Sequence, residues 1–534
     1  MVSLPVLITS GDLLPGHGEL NGRRWAGQQL LKCWAQHANR GELALANADP
    51  SQLQAIKPLL AQAGFRGCLK CLGLIDPKPY QAWGGLFIPD PSIGRWAQWR
   101  QPVGSAAFSL IGQIHTLSTP AALGHLQDLV TEPVQPWDAV ICSSKAGQEV
   151  VKSVLSAREE QLLKRTGGSR ELLQAKRPQL PVIPLPLPEG SMPTNPIAQA
   201  DGRKALGIAN DDAVVIWLGR LSLFTKLDPW CTYAVLERVA SQIEQRLVLI
   251  ECGPDDHPSH YQGWQKLREL CPSVRFLRLG GEQPVSEQIK HQALAAADVA
   301  ISLVDNAQET FGLAVAEAMA AGLPVVASNW SGYRDLISDG CEGFLVDSRW
   351  ADLTPALSVA LSWQQFTGLQ AYPAVSGALA QLVQLDLEMA EAALLTLLTN
   401  PRLAKAMGAA GAKKARRLFA PQVVMNAYEE LFEELALLRR QAPHYALLPQ
   451  AVCPQLDLYR VFAKFASNQT GFGEIKHDAN LSKLPEPVRQ QRAQLWQLLN
   501  NTAGEALQTS LHNQLLMKHN QLASSNGKNP NLCK

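Results

Sequence analysis

The stretch Glu309-Thr-Phe-Gly-Leu-Ala-Val-Ala-Glu317 sets two carboxylates eight positions apart, around the start of an Ala-rich segment that Gly322-Leu-Pro324 stops. The apolar run Ala297–Val304 precedes it. The spacing therefore predicts a buried strand, a loop carrying Glu309, and a helix opened by Gly312 with Glu317 in its second turn. Amides left unpaired at Phe311, Gly312 and Leu313, with the positive end of the helix dipole, would seat a phosphate. Carboxylates beside such a seat accept hydrogen bonds from sugar or ribose hydroxyls, so the combination points to a sugar nucleotide. Considered alone, a Glu at a helix start more often decorates an exposed face; neighbouring signals decide the matter. One is Gly219-Arg220-Leu221 after the run AVVIWL, with Lys226 six residues past Arg220. Two cations on a loop leaving a strand can neutralise a diphosphate as charge develops on a leaving group. Two further candidates are His115, just past the run FSLIGQI, and the Gly-rich segment with Gly11, Gly16, His17 and Gly18 that follows the first apolar run.

Glu, seven residues, Glu, then Ala-Met-Ala-Ala-Gly-Leu-Pro-Val-Val-Ala-Ser328 closely resembles the donor-site signature of the retaining GT-B glycosyltransferases known as family 4. Gly332, Asp335-Leu-Ile-Ser-Asp-Gly340 and Gly343-Phe-Leu-Val346 continue the likeness. It covers residues 1–440, strongly in the second half and thinly in the first. The resemblance implies a transferase moving a sugar from a UDP- or GDP-linked donor to a glycan, lipid or small-molecule acceptor, with retention. It implies that Arg220 and Lys226 stabilise the leaving diphosphate, assisted by Gly219 and the helix start at Phe311–Leu313. Glu317 would hold the ribose and Glu309 the hexose hydroxyls, while His115 would contact the sugar from the opposing domain. Gly16 and Gly18 would offer backbone to the diphosphate; His17 is given no role. The family's Gly-Arg-Leu-x-x-x-Lys-Gly becomes Gly219-Arg220-Leu221-Ser-Leu-Phe-Thr-Lys226-Leu here, with one extra residue before the lysine and no glycine after it. Because Arg, Lys and a helix dipole meet the diphosphate charge, no cofactor and no metal are implied, and activity should survive EDTA. Front-face attack and a covalent intermediate are both compatible with retention. Two alternatives stay open: another sugar-nucleotide or sugar-phosphate enzyme such as an epimerase or phosphorylase, and a non-catalytic GT-B-like binding or scaffold protein.

The elements that must position these residues follow from the hydrophobic pattern. Short apolar runs alternate with helix-like stretches, which argues for α/β architecture with parallel sheets. Pro5–Thr9, Ser105–Ile114 and Asp138–Cys142 read as strands of a first domain, with a helix from Lys145 to about Leu155. Trp83–Arg100, with three glycines, two prolines and three tryptophans, reads as an irregular surface segment. Seven prolines between Arg177 and Pro196 predict an interdomain linker. Strands at Ala213–Leu218, Arg246–Cys252, Ser273–Leu279, Ala297–Val304 and Leu323–Ser328 then build a second domain. The expectation is a GT-B fold of two Rossmann-like doubly wound domains facing across a cleft, with a helical C-terminal extension. Its parts are an acceptor-binding domain at 1–190, a nucleotide-sugar-binding domain at 191–440 with an insertion at about 350–384, and an extension with a disordered tail at 441–534. Closure about the linker would exclude water from the donor.

Composition removes other classes. In 534 residues, 48 Lys and Arg balance 47 Asp and Glu, so no bulk field draws the chain to nucleic acid. The ten cysteines show no disulfide framework. Cys68-Leu-Lys-Cys71 has redox or zinc spacing without a second pair, and reads as core packing. The run Lys413-Lys-Ala-Arg-Arg417 is a basic helical face that could touch acidic lipid. With neither an export signal nor an apolar run long enough to span a bilayer, the expected location is cytoplasmic, with peripheral membrane contact left open.

Overall fold

Apolar runs without polar alternation are strands covered on both faces, and in the computed structural model they form two parallel six-stranded sheets. The structure describes residues 4–8, 22–38, 41–46, 50–187, 189–191, 197–256, 258–282, 285–468, 485–499 and 501–502. Gly16, His17 and Gly18, the proline-rich residues 192–196 and the tail expected to be disordered lie outside them. One compact unit comprises the residues up to Leu72 together with Tyr80–Gln450 and contains both sheets.

The first sheet has the strands β1 (Val6–Leu7), β2 (Glu42–Ala46), β3 (Cys68–Leu72), β4 (Gly85–Ile88), β5 (Ser109–Gln113) and β6 (Ala139–Ile141), in the order β3-β2-β1-β4-β5-β6. The second has β7 (Ala213–Leu218), β8 (Leu247–Cys252), β9 (Val274–Leu279), β10 (Val299–Ser302), β11 (Val325–Ser328) and β12 (Gly343–Val346), in the order β12-β11-β10-β7-β8-β9. Both are doubly wound, and this is the GT-B architecture. Each sheet reverses its strand order beside its first strand. In the second, β10 lies directly against β7, with Val299 opposite Val215 and Ala300 opposite Ile216. Such a switch point opens a crevice at the carboxyl ends of the strands, and the loops carrying Arg220 and Glu309 both leave there.

Three local readings are corrected. Trp83–Arg100 is not an irregular surface segment: Gly85–Ile88 is a fully buried strand paired with both β1 and β5, and Ile93–Arg100 is a helix. Pro89 and Pro91 fall between the two elements, while Gly85 opens the strand and Gly94 sits in the first turn of the helix. Trp99 packs edge-on against Tyr80 and Phe108, while Arg100 is wholly buried on Asp138. Cys68 and Cys71 are exposed on the edge strand β3, not packed in the core. The helix from Lys145 runs on to Thr166, since Ser144 caps its start and nothing stops it before Gly167.

The chain crosses between the sheets twice. Helix Pro401–Phe419 packs on the second sheet, but the next helix, Pro421–Arg440, returns to the first. Its apolar stripe Val424, Tyr428, Leu431 and Leu435 is buried there beside Trp34 and Phe87. The outgoing and returning segments meet where the Leu187 amide donates to the Phe419 carbonyl at 2.8 Å. Past this helix the chain stays on the first sheet's side, where the Ala106 amide donates to the Ala446 carbonyl at 2.8 Å. The segment at 350–384 is ordered: β13 (Ser348–Trp350) and β14 (Val383–Leu385) form an antiparallel pair enclosing the helices Pro355–Phe366 and Tyr372–Ala380. The second compact unit, Gly73–Pro79 with the residues from Ala451, includes the short helix Leu458–Phe462 and a helical stretch at 486–499.

Candidate active site

Arg220 and Lys226 sit on the loop after β7, and the fold holds that loop from below. A Cβ on Gly253 would lie 2.0 Å from the Gly219 carbonyl oxygen, so the ends of β7 and β8 come together only because glycine stands there. The Arg220 guanidinium donates to Asp256 Oδ1 at 2.9 Å, and the Ser222 hydroxyl donates to Asp256 Oδ2 at 2.5 Å. Asp256 thus ties both the cation and the turn behind it to the loop after β8. The loop closes in a tight turn in which the amides of Lys226 and Leu227 both donate to the Ser222 carbonyl at 3.1 Å.

Lys226 emerges from that turn with its stem over Gly219, and its ammonium donates to Glu309 Oε2 at 2.6 Å. Both side chains are largely buried. The backbone amides of Phe311 and Gly312 also bond the Glu309 carboxylate. Burial works to raise the Glu309 pKa, but Lys226 and those amides outweigh it and hold the group below the ordinary carboxylate range. In this state the anion seat at the start of helix Leu313–Ala320 is therefore filled by the chain's own carboxylate. Gly312 at φ +103 is obligatory: a Cβ there would stand 2.4 Å from the Tyr333 ring. The Tyr333 hydroxyl lies below, 2.8 Å from the Ser302 hydroxyl and 3.4 Å from Glu309 Oε2. Burial, then the Glu309 charge, pushes its pKa well above normal, so it stays protonated as a donor.

The opposite wall comes from the first sheet. His115 is half-buried just beyond β5, and its carbonyl accepts from the Thr310 hydroxyl at 2.6 Å, which brings the residue to the Glu309 loop. Two more bonds cross here: the Ser144 hydroxyl donates to the Thr310 carbonyl, and the Lys145 amide to Asp335 Oδ2, each at 2.6 Å. Glu317 lies one turn further along the helix and faces Lys290, whose ammonium is 2.9 Å from Oε1. Burial raises the Glu317 pKa against the pull of that lysine.

The structure thus brings Gly219, Lys226, Glu309, Phe311 and Gly312 into direct contact and joins the His115 backbone to their loop through Thr310. Arg220 and Leu313 flank the group, Glu317 is held separately on Lys290, and Gly16 and Gly18 lie outside the described residues. Sequence reasoning missed Asp256, Lys290, Tyr333 and Tyr372. The last reaches from the 350–384 segment to the Gln308 side chain and to the Ser118 hydroxyl, 3.1 Å away. Asp256 had a signal, since Gly253-Pro-Asp-Asp follows a buried strand as Gly219-Arg220 does; the others carry no local mark. Among the described residues, no group of three His, Cys, Asp or Glu side chains is arranged to hold a metal ion.

Residues 212–362 match the family described as glycosyl transferases group 1, which bears out the resemblance to a glycosyltransferase in that stretch. A D-inositol 3-phosphate glycosyltransferase of Xylanimonas cellulosilytica is 28% identical over 250 residues, covering 46% of this chain and 57% of that protein. The chain therefore spans little more than half the length of that curated relative. The N-terminal domain of Candida albicans trehalose-6-phosphate phosphatase shares the fold, with TM-score 0.50 and 10% identity over 81% of this chain and 99% of that one. Anabaena Alr3699/HepE, solved in complex with UDP-glucose, aligns with TM-score 0.46 and 18% identity over 81% of this chain and 99% of its own.

Proposed function

We propose that the protein is a retaining, metal-independent glycosyltransferase that takes a sugar from a nucleoside diphosphate donor. The observation that carries this reading is the Lys226–Glu309 pair at a helix N-terminus, on a loop whose Thr310 hydroxyl bonds the His115 carbonyl of the first sheet. A donor entering the site would exchange its diphosphate for the internal contacts now made there. Lys226 and Arg220 would take the negative charge that develops on the leaving group. Glu309, freed from its amides, would accept hydrogen bonds from hexose hydroxyls, and Phe311 and Gly312 would offer theirs to the donor. Glu317 would hold the ribose hydroxyls, with Lys290 keeping its carboxylate in place. His115 would meet the sugar from the first domain, and Gly16 and Gly18 would bring backbone to the diphosphate. Once the donor displaces Glu309 from the helix start, Lys226, Arg220 and the helix dipole would meet the diphosphate charge in place of a divalent cation.

Domain 1–190 would carry the acceptor, and the paired crossings at Leu187 and Phe419 would be the hinge about which the halves close. The relative's name contains D-inositol 3-phosphate; for this chain a hydroxyl-bearing glycan, lipid or small molecule is the acceptor class proposed. Retention is tested by incubating a UDP- or GDP-sugar without acceptor and reading the first-formed sugar anomer by proton NMR. The donor's own anomer should appear before mutarotation; the opposite anomer would refute retention.

A further inference from the structure

Residues 353–385 run for 33 positions without one Asp, Glu, Lys, Arg or His, in a chain where such groups are otherwise frequent. Within them the helix Pro355–Phe366 has no buried residue. Val359, Trp363 and Phe366 fall at i, i+4 and i+7, so they form one stripe, with Trp363 and Phe366 in ring contact at 5.2 Å. That stripe is open to solvent: Trp363 is 52% exposed, Phe366 79%, and Leu369 just beyond is 76%. Leu361 and Gln365 are on the inner side, and the Gln365 amide donates to the Ser118 carbonyl at 3.4 Å. Ser118 lies three residues past His115. Tyr372 ties the same segment to Ser118 and Gln308, and Ser376 donates to Asn306 Oδ1 at 2.9 Å. These bonds tie the uncharged surface to the rim of the candidate site.

What sets this stripe apart is the absence of charge around it and its place beside the candidate site, and exposed apolar surface at such a place marks a contact with another surface. The helix is about 18 Å long and about 10 Å wide, a footprint of about 200 Å², against about 800 Å² per partner in a stable protein interface. It is too small for a dimer contact and the right size for shallow insertion. Trp and Phe among Ser and Gln suit the boundary between headgroups and acyl chains. With no charge in the segment, attachment would owe nothing to anionic lipid. We propose that the helix Pro355–Phe366 and the turn to Leu369 form a membrane-seating element that rests the rim of the site on a neutral phospholipid surface.

The test is flotation of the full chain with phosphatidylcholine vesicles, with and without phosphatidylglycerol, at low salt and at 1 M salt. The proposal expects binding to both vesicle types, little changed by salt, and at least tenfold weaker for F366E/L369E. These side chains are exposed, so the variant should keep the wild-type circular dichroism and melting curve. The variant K413E/R416E, on the basic face of helix Pro401–Phe419, should float like wild type. Wild-type protein that stays with the unbound fraction overturns the proposal, as does a floating F366E/L369E. Binding confined to anionic vesicles and abolished by salt or by K413E/R416E would assign the contact to the basic face instead. A dimer in light scattering that F366E/L369E dissolves would make the occupant a second copy of the chain.

Discussion

Replacing Glu309 by Gln should reveal the buried pair on which the account rests. At 2.6 Å and an effective dielectric of about 20, the gross attraction between Lys226 and Glu309 is about 6 kcal/mol. Desolvation of two side chains only 15% and 14% exposed offsets most of it. The cost of the substitution arises because Lys226 is left charged and unpaired, which reaches about 3–5 kcal/mol at a fully buried site and about 2–3 kcal/mol here with some solvent access. E309Q and Lys226→Met should each lower the urea-unfolding free energy by about that amount. The double variant should lose about 1–2 kcal/mol less than their sum, because the two share one interaction. A pH signature accompanies this. The folded Glu309 pKa lies below its unfolded value, so its contribution is present above about pH 4.3 and is lost as pH falls through the folded value. The stability gap between wild type and E309Q should therefore narrow as pH drops from 5 toward 3. Strict additivity of the two substitutions, with a gap that stays constant with pH, would refute the pairing.

Other outcomes follow from the same geometry. Asp256→Asn leaves Arg220 charged but poorly held, so kcat for nucleoside diphosphate release should fall about tenfold with KM nearly unchanged, a cost of about 1.4 kcal/mol in the barrier; a rise in KM alone would deny Asp256 its positioning role. Gly253→Ala would place a Cβ 2.0 Å from the Gly219 carbonyl and should destabilise by about 3 kcal/mol. Gly263→Ala, on the exposed face of helix Pro258–Glu269 where a Cβ meets nothing within 4 Å, should gain up to about 1 kcal/mol. Equal melting temperatures for the two variants would contradict the close approach of β7 and β8.

What the sequence made legible was local. Strands such as Ala213–Leu218 announced themselves by unbroken apolar runs, and Glu309, Gly312 and Glu317 by their places around one helix start. What it hid depends on contacts between distant segments. The stripe Val424, Tyr428, Leu431 and Leu435 says that a helix is buried but not under which sheet, and only the fold returns it to Trp34. Lys290 meets Glu317, and Tyr372 meets Ser118, across intervals that no periodicity spans. Gly85–Ile88 was obscured because glycines, prolines and tryptophans surround a four-residue strand too short to outweigh them. Cys68 and Cys71 were misplaced because an apolar run on an edge strand looks like one in the core.

The most direct test of the central claim is release of nucleoside diphosphate from a panel of UDP- and GDP-sugars in the presence of EDTA, comparing wild type with Arg220→Ala and Glu309→Ala. The wild type should release nucleoside diphosphate from one donor, undiminished by EDTA, and both variants should be slower by at least a hundredfold, about 2.7 kcal/mol. Release that EDTA abolishes, or that neither substitution affects, would contradict the metal-independent donor site. The absence of release from every donor, with cell extract added as acceptor source, would support the non-catalytic alternative.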